Sequence, residues 1–472
     1  FLNTTGTENT AIGQDALRAN TTGSYNFAAG HGAISGPATG SYNIGIGVDA
    51  GVYMNGTPQH NVAIGNEALK SASGSYNIAI GQKALTSNTT GGSNIAMGLS
   101  ALERNTTADN NITLGHLAGE RTTTGDKNIM IGTNTLNGNT TGSSNLAIGD
   151  AALKGNTTGS NNTAVGRQAL EDNTTAGNNT AIGMEALKKS TTGSSNTAVG
   201  YQALLNTTSW GTENTGIGEG VLYTNTTGYG NSALGYKALY SNTTGGTAIY
   251  NTAIGNTALY SNTTGGYNVA VGHRALYTNT TGSNNTAIGS DTLKVNTTGD
   301  NNFAGGKNAL IANTTGSNVI AIGQAALQAN TTADTNIAIG TTALGSNTTG
   351  TPNVAVGYEA LFANTTGTEN TAVGKSALDS TTTGTRNTAI GNGAGEDTTT
   401  GSNNTSLGYQ AGPTAADASN EVTLGNSSVS ALRCQVQTIS SLSDRRDKKG
   451  IKELPVGLDF INDLKPVKFV WD

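Results

Sequence analysis

The stretch Asn145 to Asn161 reads NLAIGDAALKGNTTGSN, and Asn162 begins the same phrase again as NTAVGRQALEDNTTAGN. The Gly that closes each NxAxG marks the series, from Gly13, Gly30 and Gly47 to Gly408 and Gly425. There are 25 markers; 20 of the 24 intervals are 17 residues, and the others are 18 twice, 16 and 20. A short period held over this distance means a stacked repeat, and every local motif has to be read inside it.

Counting each unit from its Asn, position 2 is mostly Thr, Ile, Val, Phe, Leu or Ser. Position 3 is mostly Ala, and position 4 is Ile, Val, Leu or Met except at Ala29 and Gly305. This short period-two run reads as a strand. Position 5 is always Gly, which marks a corner needing positive φ or close backbone approach. Positions 8 and 9, typically Ala-Leu, read as a second short apolar edge, and Asn-Thr-Thr-Gly at 12 to 15 as a turn. No window sustains a 3.6-residue apolar period free of Gly, so no helix fits. Two short strands and two corners per unit predict an all-β fold, a parallel β-solenoid (β-roll) of 17-residue coils. The position-4 residues Ile12, Ile148, Ile254 and Ile390 are expected in one buried column. At about 4.8 Å per coil the rod is on the order of 120 Å long. Gly does not recur every third residue, which excludes collagen.

Composition agrees. With 67 Gly, 11% charged and 5% aromatic residues, the chain cannot fill a wide core but can fill a thin one repeated along an axis. Formal net charge is −6, with charges scattered over positions 6, 7, 10 and 11 and no basic stripe, so nucleic acid is not an expected partner. Cys434 is the only cysteine, so no intrachain disulfide framework exists. No run of 18 apolar residues predicts a membrane span. The entry at Phe1, in mid-coil, reads as the edge of a longer chain.

Residues are added to the period at 48–60, 209–213 and 245–250; such insertions map to exposed loops and read as drift at turns. His31, His116 and His273 follow marker glycines and His60 lies in the first irregular stretch. Their separation argues for solvated corners; no metal and no cofactor is expected. The NTT turns match the glycosylation acceptor pattern, but turn chemistry alone accounts for Asn and Gly there. An ice-binding Thr array is not indicated, because the Thr pairs lie in turns and Thr at position 2 is interrupted by Ile and Val.

The organisation expected is a shaft over 1–425, a junction over 426–442 and the start of a further domain over 443–472. The last segment is charged, SDRRDKKGIKELPVGLDFINDLKPVKFVWD, with Leu458, Ile461 and Leu464 at helical spacing between Pro455 and Pro466.

The run Ser443, Asp444, Arg446, Lys448 and Ile451 resembles the opening S-D-x-R-x-K motif of the C-terminal intramolecular chaperone domain of phage tail fibres and tail spikes. The preceding NEVTLGNSSVSALRCQVQTISSL is similar to the junction of such fibres. Gly450 departs from the Asn or Asp more usual there, and only the beginning of that small α/β domain is present. The coils resemble the head repeats of trimeric autotransporter adhesins, which are shorter. The resemblance implies a homotrimer whose chaperone cuts itself off between Ser443 and Asp444, with Ser443 as nucleophile and Lys448 as base. A Ser hydroxyl needs such a base within reach, and burial would lower a Lys pKa enough to serve.

Register supplies a physical reason for such a domain: slipping one chain by 17 residues keeps almost every contact, so the repeats alone specify register weakly. Closure entropy also precedes any favourable contact, so a domain that trimerises first would nucleate assembly. The expected function is the shaft of a virion tail fibre, extracellular, acting in host attachment with a host-surface glycan or protein as partner. A bacterial trimeric surface adhesin is the alternative. Nothing in the coils supplies a catalytic constellation.

Overall fold

The computed structural model describes residues 2–209, 211–243 and 248–433. Among them are 25 three-residue strands, from β1 (Thr10–Ile12) to β25 (Val422–Leu424), and no helix. Each strand pairs in parallel with its counterparts in the coils before and after. One coil of offset is kept throughout, as in Leu146↔Thr163, Ala147↔Ala164 and Ile148↔Val165. The chain is thus an all-β parallel β-solenoid of 17-residue coils. Contacts divide it into one unit at 1–426 and a second at 427–472.

Hydrogen bonding runs around the whole coil, not through the strand alone. Leu146, Leu153 and Thr157 N–H donate to the following coil at Asn162, Ala169 and Thr174, at 2.8, 2.9 and 2.8 Å. Gly149, Ala151 and Asn161 N–H donate backwards to Ile131, Thr133 and Ser143, at 2.8, 2.9 and 3.1 Å. A coil with so few residues per turn satisfies its backbone only by pairing both ways along the axis.

The expected second strand at positions 8 and 9 is absent. In its place is a tight turn series in which positions 7 and 9 are left-handed, as in Ala151 (φ 56°) and Leu153 (φ 52°). Left-handed geometry costs an L-residue about 1–2 kcal/mol. Leu153 is fully buried, and that burial contributes about 1.5–3 kcal/mol, which covers the strain. The glycine corner is as expected: all 25 marker glycines have φ between 77° and 144°. At Gly149 a Cβ would stand 2.7 Å from the backbone of Gly166, so the next coil leaves no room for one.

The expected column of buried position-4 isoleucines is overturned. Ile12, Ile254 and Ile390 are 57%, 40% and 46% exposed, and Ile148 is half-buried. The position-3 alanines, such as Ala147, Ala164 and Ala253, are fully buried instead. Period two says that positions 2 and 4 share a face opposite position 3, not which face is inside. The coil is too thin for opposed Ile and Leu, so the small residue faces in and the position-9 Leu reaches across to it.

That shared space leaves a trace in the sequence. A side chain at position 9 of one coil points at position 3 of the next: a Cβ on Gly216 would meet Leu204 Cδ1 at 2.5 Å, and one on Gly45 would meet Ile34 Cγ1 at 2.7 Å. Where position 9 is Gly119, position 3 of the next coil is Met130, whose Sδ lies 2.6 Å from where a Gly119 Cβ would be. The volume has moved from one residue to the other and the core stays filled.

Two buried asparagine ladders complete the interior. At position 1, Asn162 N–H and Nδ2 donate to Asn145 Oδ1 at 3.0 and 3.2 Å. At position 12, Asn156 Nδ2 donates to Asn139 Oδ1 and to the Gly159 carbonyl, both at 3.0 Å, and Asn145 Nδ2 donates to that same carbonyl at 3.0 Å. Wherever the position-12 run of Asn stops, the last Oδ1 lacks a protein partner. This holds for Asn20 before Pro37, Asn105 before Thr122, Asn173 before Ser190 and Asn364 before Thr381. The NTT acceptor asparagines are therefore committed side chains inside the coil, in keeping with turn chemistry as their reason.

Candidate functional site

Because position 3 faces in, positions 2 and 4 face out along the entire parallel sheet. Position 4 forms a row of Ile, Val, Leu and Met interrupted only by Ala29 and Gly305, and no charged residue occurs at either position in any of the 25 strands. From Phe27 to Leu146 position 2 is apolar as well, whereas from Thr163 to Thr252 it carries hydroxyls. The two rows run about 6.6 Å apart and the face extends roughly 115 Å, giving an uncharged stripe on the order of 1,000 Å² that is apolar across both rows only where position 2 is apolar. Monomers rarely expose contiguous apolar patches above a few hundred Å². Charge depletion over such a stripe is the compositional mark of an interface core.

Charges flank the stripe instead. Lys70 pairs with Glu67 at 2.7 Å, Arg274 with Asp291 at 2.9 Å and Lys188 with Glu185 at 3.4 Å, all from positions 7 and 10. Glu67 lies below the usual carboxylate range chiefly because it accepts a hydrogen bond from Lys70. Glu185 is lowered chiefly by the amide of Gln202, 2.7 Å away on the next coil.

Aromatic rings stack at two places, one at the last position of the coil and one at position 10. Tyr25, Tyr42, His60 and Tyr76 lie parallel, with centroids 4.8, 4.9 and 5.3 Å apart. Tyr223, Tyr240, Tyr260 and Tyr277 do the same at 5.0, 5.1 and 5.2 Å. Tyr42, His60 and Tyr76 of the first stack end the three consecutive coils whose position 12 is Pro37, Met54 and Ala72 in place of Asn. Ring stacking there spans the coils in which the position-12 ladder is interrupted, while the position-1 ladder runs on from Asn26 to Asn77. The second stack passes through the 20-residue coil that begins at Asn231. These aromatics, spaced one coil apart, could have been read from the sequence once the period was known. His31, His60, His116 and His273 are exposed, in line with solvated corners.

Ser443, Asp444 and Lys448, the expected cleavage residues, lie outside the described residues, as do Cys434 and Trp210. No known protein family and no curated protein matches this chain. The class is therefore defined by the fold alone: a parallel β-solenoid repeat protein of about 24 turns of about 17 residues. Within that class, the feature that most invites a function is the uncharged outer face of its sheet.

Proposed function

We propose that the chain is the shaft of a trimeric fibre, a phage tail fibre acting in host attachment, whose three copies pack through the outer faces of their sheets. The observation that supports this reading is the unbroken uncharged stripe of positions 2 and 4. A partner that covers it must be as long and have the same axial repeat, and a second copy of the chain meets both conditions. The stripe also matches the about 800 Å² per partner of a stable interface. The blocks at position 2, apolar and then hydroxylated, favour parallel copies in register, since like then faces like. In this reading the segment from Ser443 is the start of a chaperone that cuts itself off after assembly, with Ser443 attacking and Lys448 accepting its proton.

Sedimentation of the purified chain at micromolar concentration tests assembly. The expected mass is that of a trimer, and Ile254→Asp combined with Ile288→Asp should release monomers that keep their β circular dichroism. Both side chains already face solvent in the single chain, so the coil itself should survive. A monomeric wild-type chain, or a trimer indifferent to both carboxylates, would overturn the reading.

A further inference from the structure

A polar depression of about 390 Å³ opens on the corner formed by positions 10 and 11, lined by Arg121, Asn137, Lys154, Glu171 and Asp172 over the floor of Gly138 and Gly155. It lies within regular 17-residue coils, so it is not the by-product of an insertion. Position 11 is Arg104, Arg121, Asp172 and Lys189 in neighbouring coils, none with positive φ. Nothing in the backbone dihedrals therefore demands two consecutive glycines. A Cβ on Gly155 would stand 2.9 Å from the Glu171 carbonyl oxygen. One on Gly138 would stand 2.8 Å from the Lys154 carbonyl oxygen, so a side chain at either position requires the backbone of the next coil to give way. What the glycine pair does is remove two side chains from a row and leave a gap about two coils, or 10 Å, long.

The charges around the gap are unspent. Elsewhere on these corners cations pair with neighbouring carboxylates, as Arg104 does with Glu120 and Lys188 with Glu171, at 3.9 and 3.6 Å. Among the described residues Arg121, Lys154 and Asp172 form no ion pair and no side-chain hydrogen bond. Glu171 shares Lys188 with Glu185, at 3.6 and 3.4 Å, so the groups left without an ion pair in the gap are two cations and one carboxylate, with the partly compensated Glu171 beside them. Asn137 is held by Nδ2, which donates to the Leu117 carbonyl at 2.9 Å and to Glu120 at 3.0 Å, leaving its Oδ1 as an acceptor.

We propose that this depression binds a pyranose bearing a carboxylate, such as a uronic-acid residue of an acidic polysaccharide. The Arg121 guanidinium takes the carboxylate in its bidentate donor fork and Lys154 adds a second cation. Ring hydroxyls donate to Asp172 and to Asn137 Oδ1, acceptors that a neutral or acidic sugar satisfies equally. The volume sits at the small end of the roughly 300–1,000 Å³ range of ligand sites, which suits one or two sugar rings. The site is built by four coils of one chain, at positions 10 and 11 and not at the strand positions 2 and 4. It deepens the attachment role proposed above, and one chain supplies every residue of the site.

Saturation-transfer NMR and calorimetric titration of the full chain with sodium D-glucuronate, with D-glucose as the uncharged control, test it. Glucuronate is expected to bind with a millimolar Kd and at least tenfold more tightly than glucose. Arg121→Gln should remove that preference, and Gly155→Arg, which refills the row, should abolish binding of both. Arg121 is a surface side chain, so Arg121→Gln keeps the test valid if Gly155→Arg disturbs the coil. Sedimentation should be unchanged in both variants, which separates failure here from failure of the assembly reading. No glucuronate binding at 20 mM, or binding that both variants leave intact, would overturn the proposal.

Discussion

Gly119 and Met130 offer the sharpest test of how the core is filled. If they exchange volume, each should be harmful to change alone and harmless to change together. Met130→Ala removes a fully buried side chain and leaves a space that Gly119 cannot fill, a cost of about 2–5 kcal/mol. Gly119→Leu drives a side chain into Met130 Sδ, 2.6 Å from the new Cβ, and overpacking costs about 1–3 kcal/mol. The double variant recreates the Leu-then-Ala arrangement of the other coils, where Leu136 sits at φ 50° against the 59° of Gly119. It should come within about 1 kcal/mol of wild type, so the coupling between the two sites is at least about 2 kcal/mol. In a repeat array the damage is local. The assay is therefore hydrogen exchange of the Leu102 and Leu136 amides, which donate to Ala118 and Ala152 at 3.1 and 2.9 Å. Both singles should speed exchange there and leave Leu276 unaffected. A double variant as unprotected as the sum of its singles would refute the shared-space argument.

Further outcomes follow from the same geometry. Asn145→Ala strips the Asn162 N–H of its acceptor and the Gly159 carbonyl of a donor. At about 1–3 kcal/mol per buried group left unpaired, exchange in the flanking coils should rise far more than in the exposed-turn variant Thr158→Ala. Gly149→Ala, with φ 128° and no room for a Cβ, should split thermal unfolding into two phases; a single unshifted transition would contradict it. Replacing His60 by Ser should weaken coils 43–76 by about 0.5–1.5 kcal/mol for each lost ring pair, seen as earlier urea exposure of Tyr42 and Tyr76 fluorescence. Glu67 is held below its ordinary pKa by Lys70. Its stabilisation is therefore present above the unfolded carboxylate pKa and lost as pH falls through the lower folded value. Glu67→Gln should flatten that acid limb by no more than about 1 kcal/mol, and an unchanged limb would argue against the pair. On the proposed chaperone reading, Ser443→Ala should block cutting while trimers still form, and efficient cutting in that variant, seen by gel mobility, would discard that nucleophile.

The sequence alone determined the period, the strand at positions 2 to 4 and the glycine corner. Each is a local property: the run of β-branched residues and the lack of a Cβ act within a few bonds. It could not say which side of the strand is inside, because alternation defines two faces without ranking them. The usual preference for burying Ile over Ala pointed the wrong way. Only the closed coil decided that, since Leu153 crossing from the opposite wall leaves room for Ala164 and not for an isoleucine. Nor did Ala-Leu announce a left-handed turn, a conformation that Leu153 takes because the burial it gains exceeds the strain. The depression at Gly138 and Gly155 was equally hidden. Two glycines 17 residues apart are unremarkable in a glycine-rich chain until stacking sets them side by side between Arg121 and Asp172.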